Sequence, residues 1–543
     1  MSQNKIVSLS VISIAILCFS CKTTEKQEQQ AGAVPYTVQL QEYVNPKLPD
    51  LHSYTHAIYN DKIVMIGGRT NGLHGGQYNF IQTFSNKNIY VVDTKKWSDP
   101  TAWDVYSMPD TKLIVPSVNL EQFRANNAEF FTQDSVLYVI GGMLNANVPT
   151  ELKDSQNIKA GVSLVAGAKS NDGATPVGPK TLAYMTAINL PSLINKVMYN
   201  SALATNDIRQ VHDTSLAVTG GEVSVINKKV YLAFGWNFYF TTPPTPQDLY
   251  THQIRSFTFN DDGKTLTISG INVCNSCTDN YASNANDSGN FRRRDGSMSA
   301  FIDPANESQS LIYYSGVFKN GVTNFDSPIW IGTDSAAEQN FVMRSNVYTC
   351  QVIPLYSKSN KVFYASMLGG MKNADFTGDT SKLPVQLTDK NAPLISTDSK
   401  NPFSHIPFSN QLTTVTVNAQ HQFAQYLLPD SFPKTMVPYT LPFVPGNPAK
   451  KIAPVPAQTL PAGSVTFNGA ESEMHWTLNT SLYPNGVIDY DAFIKANPSG
   501  GALGYLHGGI QSVLLNVFGT NAAHYSIASN RIFAVKIVPI AKK

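Results

Sequence analysis

The sequence predicts an all-β protein made of six repeated four-stranded units, and three observations carry that expectation. Short apolar runs return along the chain in pairs, each pair joined by a polar turn. The second run of most pairs ends in glycine, usually Gly-Gly. Aromatic residues make up 10% of the chain, alongside 35 Gly and 32 Pro, a composition suited to short strands separated by many turns.

The first pair spans residues 56–68, with a turn expected at Asn60, Asp61 and Lys62 and a third and fourth strand at 88–93 and 102–107. A glycine pair closing a strand suits a place where backbones crowd and no Cβ fits. The second pair spans 128–142, the third 222–236 with one glycine lost, the fourth 297–316 and the fifth 351–370. The sixth, 471–509, carries a long insertion. Further strands are expected at 254–260 with 264–273, at 328–332 with 341–346, and at 412–418 with 422–428. The last unit has a third strand at 531–538 but no fourth, while an unassigned strand stands at 36–43. Pairing that early strand into the last unit completes it and removes two sticky sheet edges. Insertions at 144–180, 371–410 and 430–466 are expected to project as loops, the last a Pro-rich extended connector.

The order of hairpin, glycine pair, Tyr90-bearing strand and Trp97 resembles a kelch repeat, the blade unit of a β-propeller. The resemblance covers about residues 36–540 and is most specific in the first two units. It implies a six-bladed kelch-like β-propeller over 35–543, closed by the N-terminal strand, in which the first strand of each blade lines a central channel.

Charged residues are 14% of the 543 and the formal net charge is +2, so no nucleic-acid partner is expected. Lys5, the apolar run 6–19 and Ser20 form a secretory signal peptide over 1–20, too short for a membrane-spanning helix. Cys21 directly after it resembles the lipidated cysteine of a bacterial lipobox, although Cys18 and Phe19 stand where other residues are commoner. The resemblance implies a lipid anchor on Cys21, a polar tether over 21–34, and a monomer held on the bacterial cell envelope, with the outer membrane expected. Cys274 and Cys277 open no helix of an α/β pattern, precede no haem-binding His and lack a second ligand pair for zinc. A local disulfide is expected there. Cys350 is left single and is expected to be buried.

Aligned on the hairpins, His56, Glu129, Glu222, Ser297, Gln351 and Glu473 all open a first strand. Facing a channel, they would gather three carboxyls, an imidazole and an amide, with Arg124, Arg294 and Arg344 upstream to balance the charge. His56, Glu129, Glu222, Gln351 and Glu473 are therefore the candidate ligand-binding residues. Crowded carboxyls raise one another's pKa. No cofactor or metal is expected. The kelch resemblance brings in two enzyme families. Copper radical oxidases need two Tyr and two His, and although His56, His475 and Cys350 are available, no aligned Tyr pair accompanies them. Sialic acid mutarotases need a Glu and an Arg for proton transfer, for which Glu129, Glu222 and Arg124 have the composition. The expected role is a binding module for a glycan or an envelope protein. A carbohydrate-active enzyme such as a sialic acid or sugar mutarotase is the alternative, and a purely structural envelope protein the third.

Overall fold

Among the described residues of the computed structural model, six sheets of four or more strands succeed one another along the chain, antiparallel but for one two-residue parallel pairing in the fifth. The structure describes residues 33–73, 84–116, 118–145, 180–240, 246–279, 289–319, 323–345, 348–395, 407–441, 457–477, 481–515 and 525–540. The expected signal peptide, Cys21 and nearly all of the tether lie outside the described residues.

The first sheet is a meander of Thr55–Tyr59, Lys62–Ile66, Asn88–Asp93 and Asp104–Pro109. Its opening turn has two residues, not three. Tyr59 pairs directly with Lys62, and Asn60 and Asp61 take φ values of 45° and 58°. Two left-handed residues in succession match the twist of a hairpin, and Asn and Asp tolerate that conformation. Asn227 and Lys228, at 52° and 64°, repeat the device in the third sheet.

The second sheet holds Glu129–Gln133, Val136–Ile140, Tyr184–Asn189 and Ile208–His212. The third holds Glu222–Ile226, Lys229–Ala233, Ile254–Asp261 and Leu266–Asn272. In the fourth, Met298–Ile302, Gln309–Tyr313 and Ile329–Ile331 are followed by Ala336–Glu338, and not by the strand expected at 341–346. The Gly332 N–H donates to Ser335 O at 2.8 Å, a tight turn that sends the chain straight back along its neighbour. Phe341 instead stacks on Phe423 of the fifth sheet, ring centroids 5.5 Å apart. That sheet is built on Gln351–Ser357, Val362–Leu368, Gln411–Asn418 and Phe423–Ser431. The sixth contains Glu473–Trp476, Gly501–His507, Ile532–Pro539 and the N-terminal Tyr36–Tyr43. Tyr36 lies opposite Pro539 and Tyr43 opposite Ile532, so the earliest strand is hydrogen-bonded to the latest.

Apolar layers fill the spaces between successive sheets. Val64 and Val91 meet Leu137 and Ile188, Ile140 and Met185 meet Leu232 and Phe257, and Tyr231 and Ile254 meet Leu311 and Ile329. Beyond these, Phe301 and Ile312 pack with Phe363 and Val415, and Leu355 and Leu412 with Tyr36 and Val535. Ile63 of the first sheet and Trp103, just ahead of its last strand, then share a cluster with Tyr505 and Ile532 of the sixth. A strand covered on both faces needs apolar residues at every position, and Val362–Leu368 is buried throughout.

The glycine pairs mark where one unit docks on the lead-in to the next. Gly67 has φ +66°, and a Cβ there would lie 2.2 Å from Ala125 O, the carbonyl that accepts from Gly68 N at 2.8 Å. The helix Leu190–Tyr199 lies outside the strand pattern read from the sequence. Asn189 caps its first turn, left-handed Asn200 ends it, and Leu190, Leu193, Ile194 and Val197 bury one face against the first and second sheets. Among the described residues no helix is long and apolar enough to cross a membrane.

Candidate binding cavity

A belt of backbone hydrogen bonds links all six units. Asn127 N donates to Ser53 O at 3.1 Å, Gly220 N to Asn127 O at 3.2 Å, and Asp295 N to Gly220 O at 2.8 Å. Thr349 N donates to Asp295 O at 3.0 Å and Glu471 N to Thr349 O at 2.7 Å. The Ser53 hydroxyl donates to the Glu471 carboxylate, joining the two ends of the series. Ser53, Asn127, Gly220, Asp295 and Glu471 all take left-handed φ values, from 47° to 63°. Glu471 also meets His52 Nδ1 at 2.6 Å and accepts from the Tyr348 hydroxyl at 2.5 Å. Burial pushes its carboxyl up, but His52 and the hydrogen bonds from His52, Ser53 and Tyr348 outweigh that and hold it at about 2.

Against this belt lies a cavity of about 380 Å³ walled by the first strands of the sheets. It brings together His56, Glu129, Glu222, Ser297, Gln351 and Glu473. Their registers differ in one case. Glu129 is opposite Ile140, Glu222 opposite Ala233, Gln351 opposite Leu368 and Glu473 opposite His507. Counted from the glycine pair, the equivalent residue of the first unit is Thr55, opposite Ile66. His56, opposite Met65, stands one position on and still reaches the cavity.

Glu129 Oε1 accepts from Gly221 N at 2.8 Å, Gln351 Nε2 donates to Glu473 Oε2 at 3.2 Å, and His56 Nδ1 stands 3.6 Å from the same Glu473 oxygen. Ser297 is turned to the backbone, its hydroxyl bridging Cys350 O at 2.9 Å and Cys350 N at 3.0 Å. Burial pushes the Glu129 carboxyl up to about 8, against the Gly221 N–H, with Asp295 adding to the rise and Arg255 opposing it. Glu222 is raised well above the carboxylate range by burial and then by Glu129 and Glu473, and Glu473 by burial and then by Glu471 and Glu129. Burial lowers His56 to about 4. The wall is therefore built of carboxyl, amide and imidazole groups, well supplied with hydrogen-bonding atoms.

The upstream arginines do not balance this cavity. Arg124 is held by Asp110, Nη2 to Oδ1 at 3.0 Å, because the 3-10 turn Leu120–Arg124 aims it away from the first strand. Arg294 lies over Trp236 at 4.3 Å and 3.5 Å from Asp295, while Arg344 pairs with Asp389. Among the described residues the cavity lining contains no Lys or Arg. The guanidinium that acts on Glu129 is that of buried Arg255, which donates to Phe234 O at 3.2 Å.

Sequence reasoning missed the belt carboxylate Glu471 and, although it named His475 beside His56, missed His507 and Tyr54, which complete a cluster behind His56. Tyr54 OH lies 2.9 Å from His507 Nδ1 and 3.3 Å from His475 Nε2, and the His475 ring is 4.6 Å from that of His56. The signal was a histidine inside an apolar run, in Met474-His475-Trp476 and again in Leu506-His507. Elsewhere, Cys274 and Cys277 are joined by a disulfide, and Cys350 is a buried free thiol at the cavity wall, pushed up to about 12 by burial. Among the described residues no group of three His, Cys, Asp or Glu is placed to hold a metal ion.

No family model matches this chain, and no curated protein matches its sequence. Among solved structures, that of YjhT aligns with 91% of this chain and 100% of its own at 12% identity, with a TM-score of 0.38. A likeness that distant says nothing of chemistry, which rests on the cavity itself.

Proposed function

We propose that this protein is a six-bladed kelch-like β-propeller, closed by the pairing of Tyr36–Tyr43 with Ile532–Pro539, whose cavity binds a sugar unit of an envelope glycan. The observation that carries this is the cavity wall: Glu129, Glu222, Glu473, Gln351 and His56 around about 380 Å³, with Tyr54, Phe130 and Trp476 beside them. That volume falls in the roughly 300–1,000 Å³ range of small-ligand sites. Mixed donors and acceptors beside aromatic rings suit a polyhydroxylated ring with an apolar face. The Lys5 to Cys21 segment supports export and a lipid anchor, to be checked by palmitate labelling of the wild type against Cys21→Ser. The test of binding is a calorimetric screen of mono- and oligosaccharides on the folded protein. Heat of binding that is lost in Glu222→Gln supports the cavity, and binding retained unchanged in both Glu222→Gln and Glu473→Gln moves the ligand elsewhere.

One observation favours catalysis as a second role. A carboxyl titrating at about 8, as Glu129 does, is poised to give and take a proton near neutral pH. A sugar mutarotase of this kind would work without Arg124. Anomer exchange followed by NMR, lost in Glu129→Gln while binding persists, is the result that would establish it.

A further inference from the structure

We infer that the ligand of this cavity carries an ammonium group, as an amino sugar does, placed among Glu129, Glu222 and Glu473 and beside Tyr54, Phe130 and Trp476. This rests on the sugar-binding role proposed above and narrows its ligand class. The carboxyls are not used up by the fold. Glu129 is only 7% exposed, yet its one hydrogen bond runs from Gly221 N to Oε1, leaving Oε2 without a hydrogen-bond partner among the described residues. Glu222 lines the cavity with no hydrogen-bond partner among them at all, and His56 Nδ1 is buried without one.

Charge decides between ligand classes. Glu129, Glu222, Glu471 and Glu473 line the cavity, and no Lys or Arg among the described residues does. An anionic sugar would set its charge beside the Glu471 carboxylate, with no Lys or Arg in the lining to receive it. A neutral hexose satisfies donors and acceptors but brings no charge that would let the crowded carboxyls ionise. An ammonium group supplies N–H donors and the missing positive charge, and its approach lets carboxyl protons leave to solvent as the carboxylates form. Aromatic rings beside carboxylates strengthen such a site through cation–π attraction. A bare metal ion is a poorer match, because the carboxyls are spread around the wall and do not converge as ligands.

The test is calorimetry on the full chain at pH 7 with glucosamine, glucose and glucuronate. Glucosamine is expected to bind at least about tenfold more tightly than glucose, a difference of about 1.4 kcal/mol, and glucuronate to give no heat. In Glu222→Gln, checked for folding by its melting curve, that preference should shrink to about threefold or less. Should Glu222→Gln not fold, Glu473→Gln takes its place. Equal binding of glucose and glucosamine, or tightest binding of glucuronate, overturns the ammonium inference and leaves the sugar-binding role standing. Silence from all three sugars with a folded protein overturns both.

Discussion

His52 Nδ1 and Glu471 Oε2 lie 2.6 Å apart across 419 residues of sequence, and this contact ties the lead-in of the first unit to that of the sixth. Glu471 also accepts from Ser53 and Tyr348, so one carboxylate satisfies three buried donors. Removing one partner of such a group strands the others, at a cost of about 3–5 kcal/mol. Glu471→Ala should lose that much stability in guanidinium unfolding. A loss below about 1 kcal/mol would mean that the belt is held by its backbone bonds alone.

The candidate ligand residues act in the opposite direction. Groups whose pKa is raised on folding penalise the folded state as pH climbs above the unfolded value of 4.5. For Glu129 the penalty grows until pH passes about 8. Glu129→Gln keeps an oxygen for Gly221 N and removes the ionisation, so it should stabilise the protein by on the order of 2 kcal/mol at pH 8 and by much less at pH 5. Thermal melts at the two pH values check this. Destabilisation at both would show the carboxyl to be structural.

Much of this was legible in the sequence, and the limits have physical causes. The hairpins and the need of the last unit for a borrowed strand were visible because strand alternation and glycine pairs are local signals. The convergence of Glu129, Glu222, Gln351 and Glu473 followed from counting along each first strand. The belt was hidden because Ser53, Asn127, Gly220, Asp295, Thr349 and Glu471 share a backbone position and not a residue type. Arg124 misled because nearness in sequence to a first strand says nothing of the 3-10 turn that hands it to Asp110. The fourth strand of the fourth unit was misplaced because Phe341 carries a strand-like apolar signal that it spends on Phe423.

Acid should loosen the junction of the first and sixth sheets. Tyr54, His56, His475 and His507 meet there, with burial lowering His56 to about 4, His507 to about 3 and His475 well below its usual value. A depressed histidine stabilises the fold above its unfolded pKa of 6.5, and that contribution fades as pH falls toward the folded value. Glu471, held at about 2, adds a loss that begins below 4.5. The histidine contribution to the melting temperature should therefore fall from pH 6.5 to 4, against the gain that the raised carboxyls Glu129, Glu222 and Glu473 bring as they take up protons. In His507→Gln, whose amide oxygen can still accept from Tyr54, the melting temperature at pH 4 relative to that at pH 6.5 should be higher than in the wild type. An unchanged difference would place the acid sensitivity elsewhere.

Two glycine substitutions separate crowding from backbone conformation. Gly67→Ala meets both a left-handed φ and the carbonyl of Ala125, whereas Gly263, at φ +81°, has nothing within 4 Å of an added Cβ. The conformational cost alone is about 1–2 kcal/mol, so Gly263→Ala should lose about that and Gly67→Ala at least about 3 kcal/mol. Equal losses in urea unfolding would show that the lead-in at Ala125 yields to the extra methyl.

The pairing of Tyr36–Tyr43 with Ile532–Pro539 gives the most direct test of the proposed closure. Tyr36 and Val38 are fully buried, and Glu42 takes Arg531 in a two-pronged pair, Oε1 to Nε at 2.7 Å and Oε2 to Nη2 at 2.8 Å. Glu42→Ala leaves that guanidinium buried and unpaired and should cost about 3–5 kcal/mol. A chain begun at residue 44 loses the whole strand and bares the edge of Ile532–Pro539, a ready template for another chain. It should elute as aggregate on size exclusion, and a peptide of residues 34–44 added during refolding should restore a monomer. If the shortened chain stays monomeric and melts like the wild type, the sixth sheet holds without its borrowed strand.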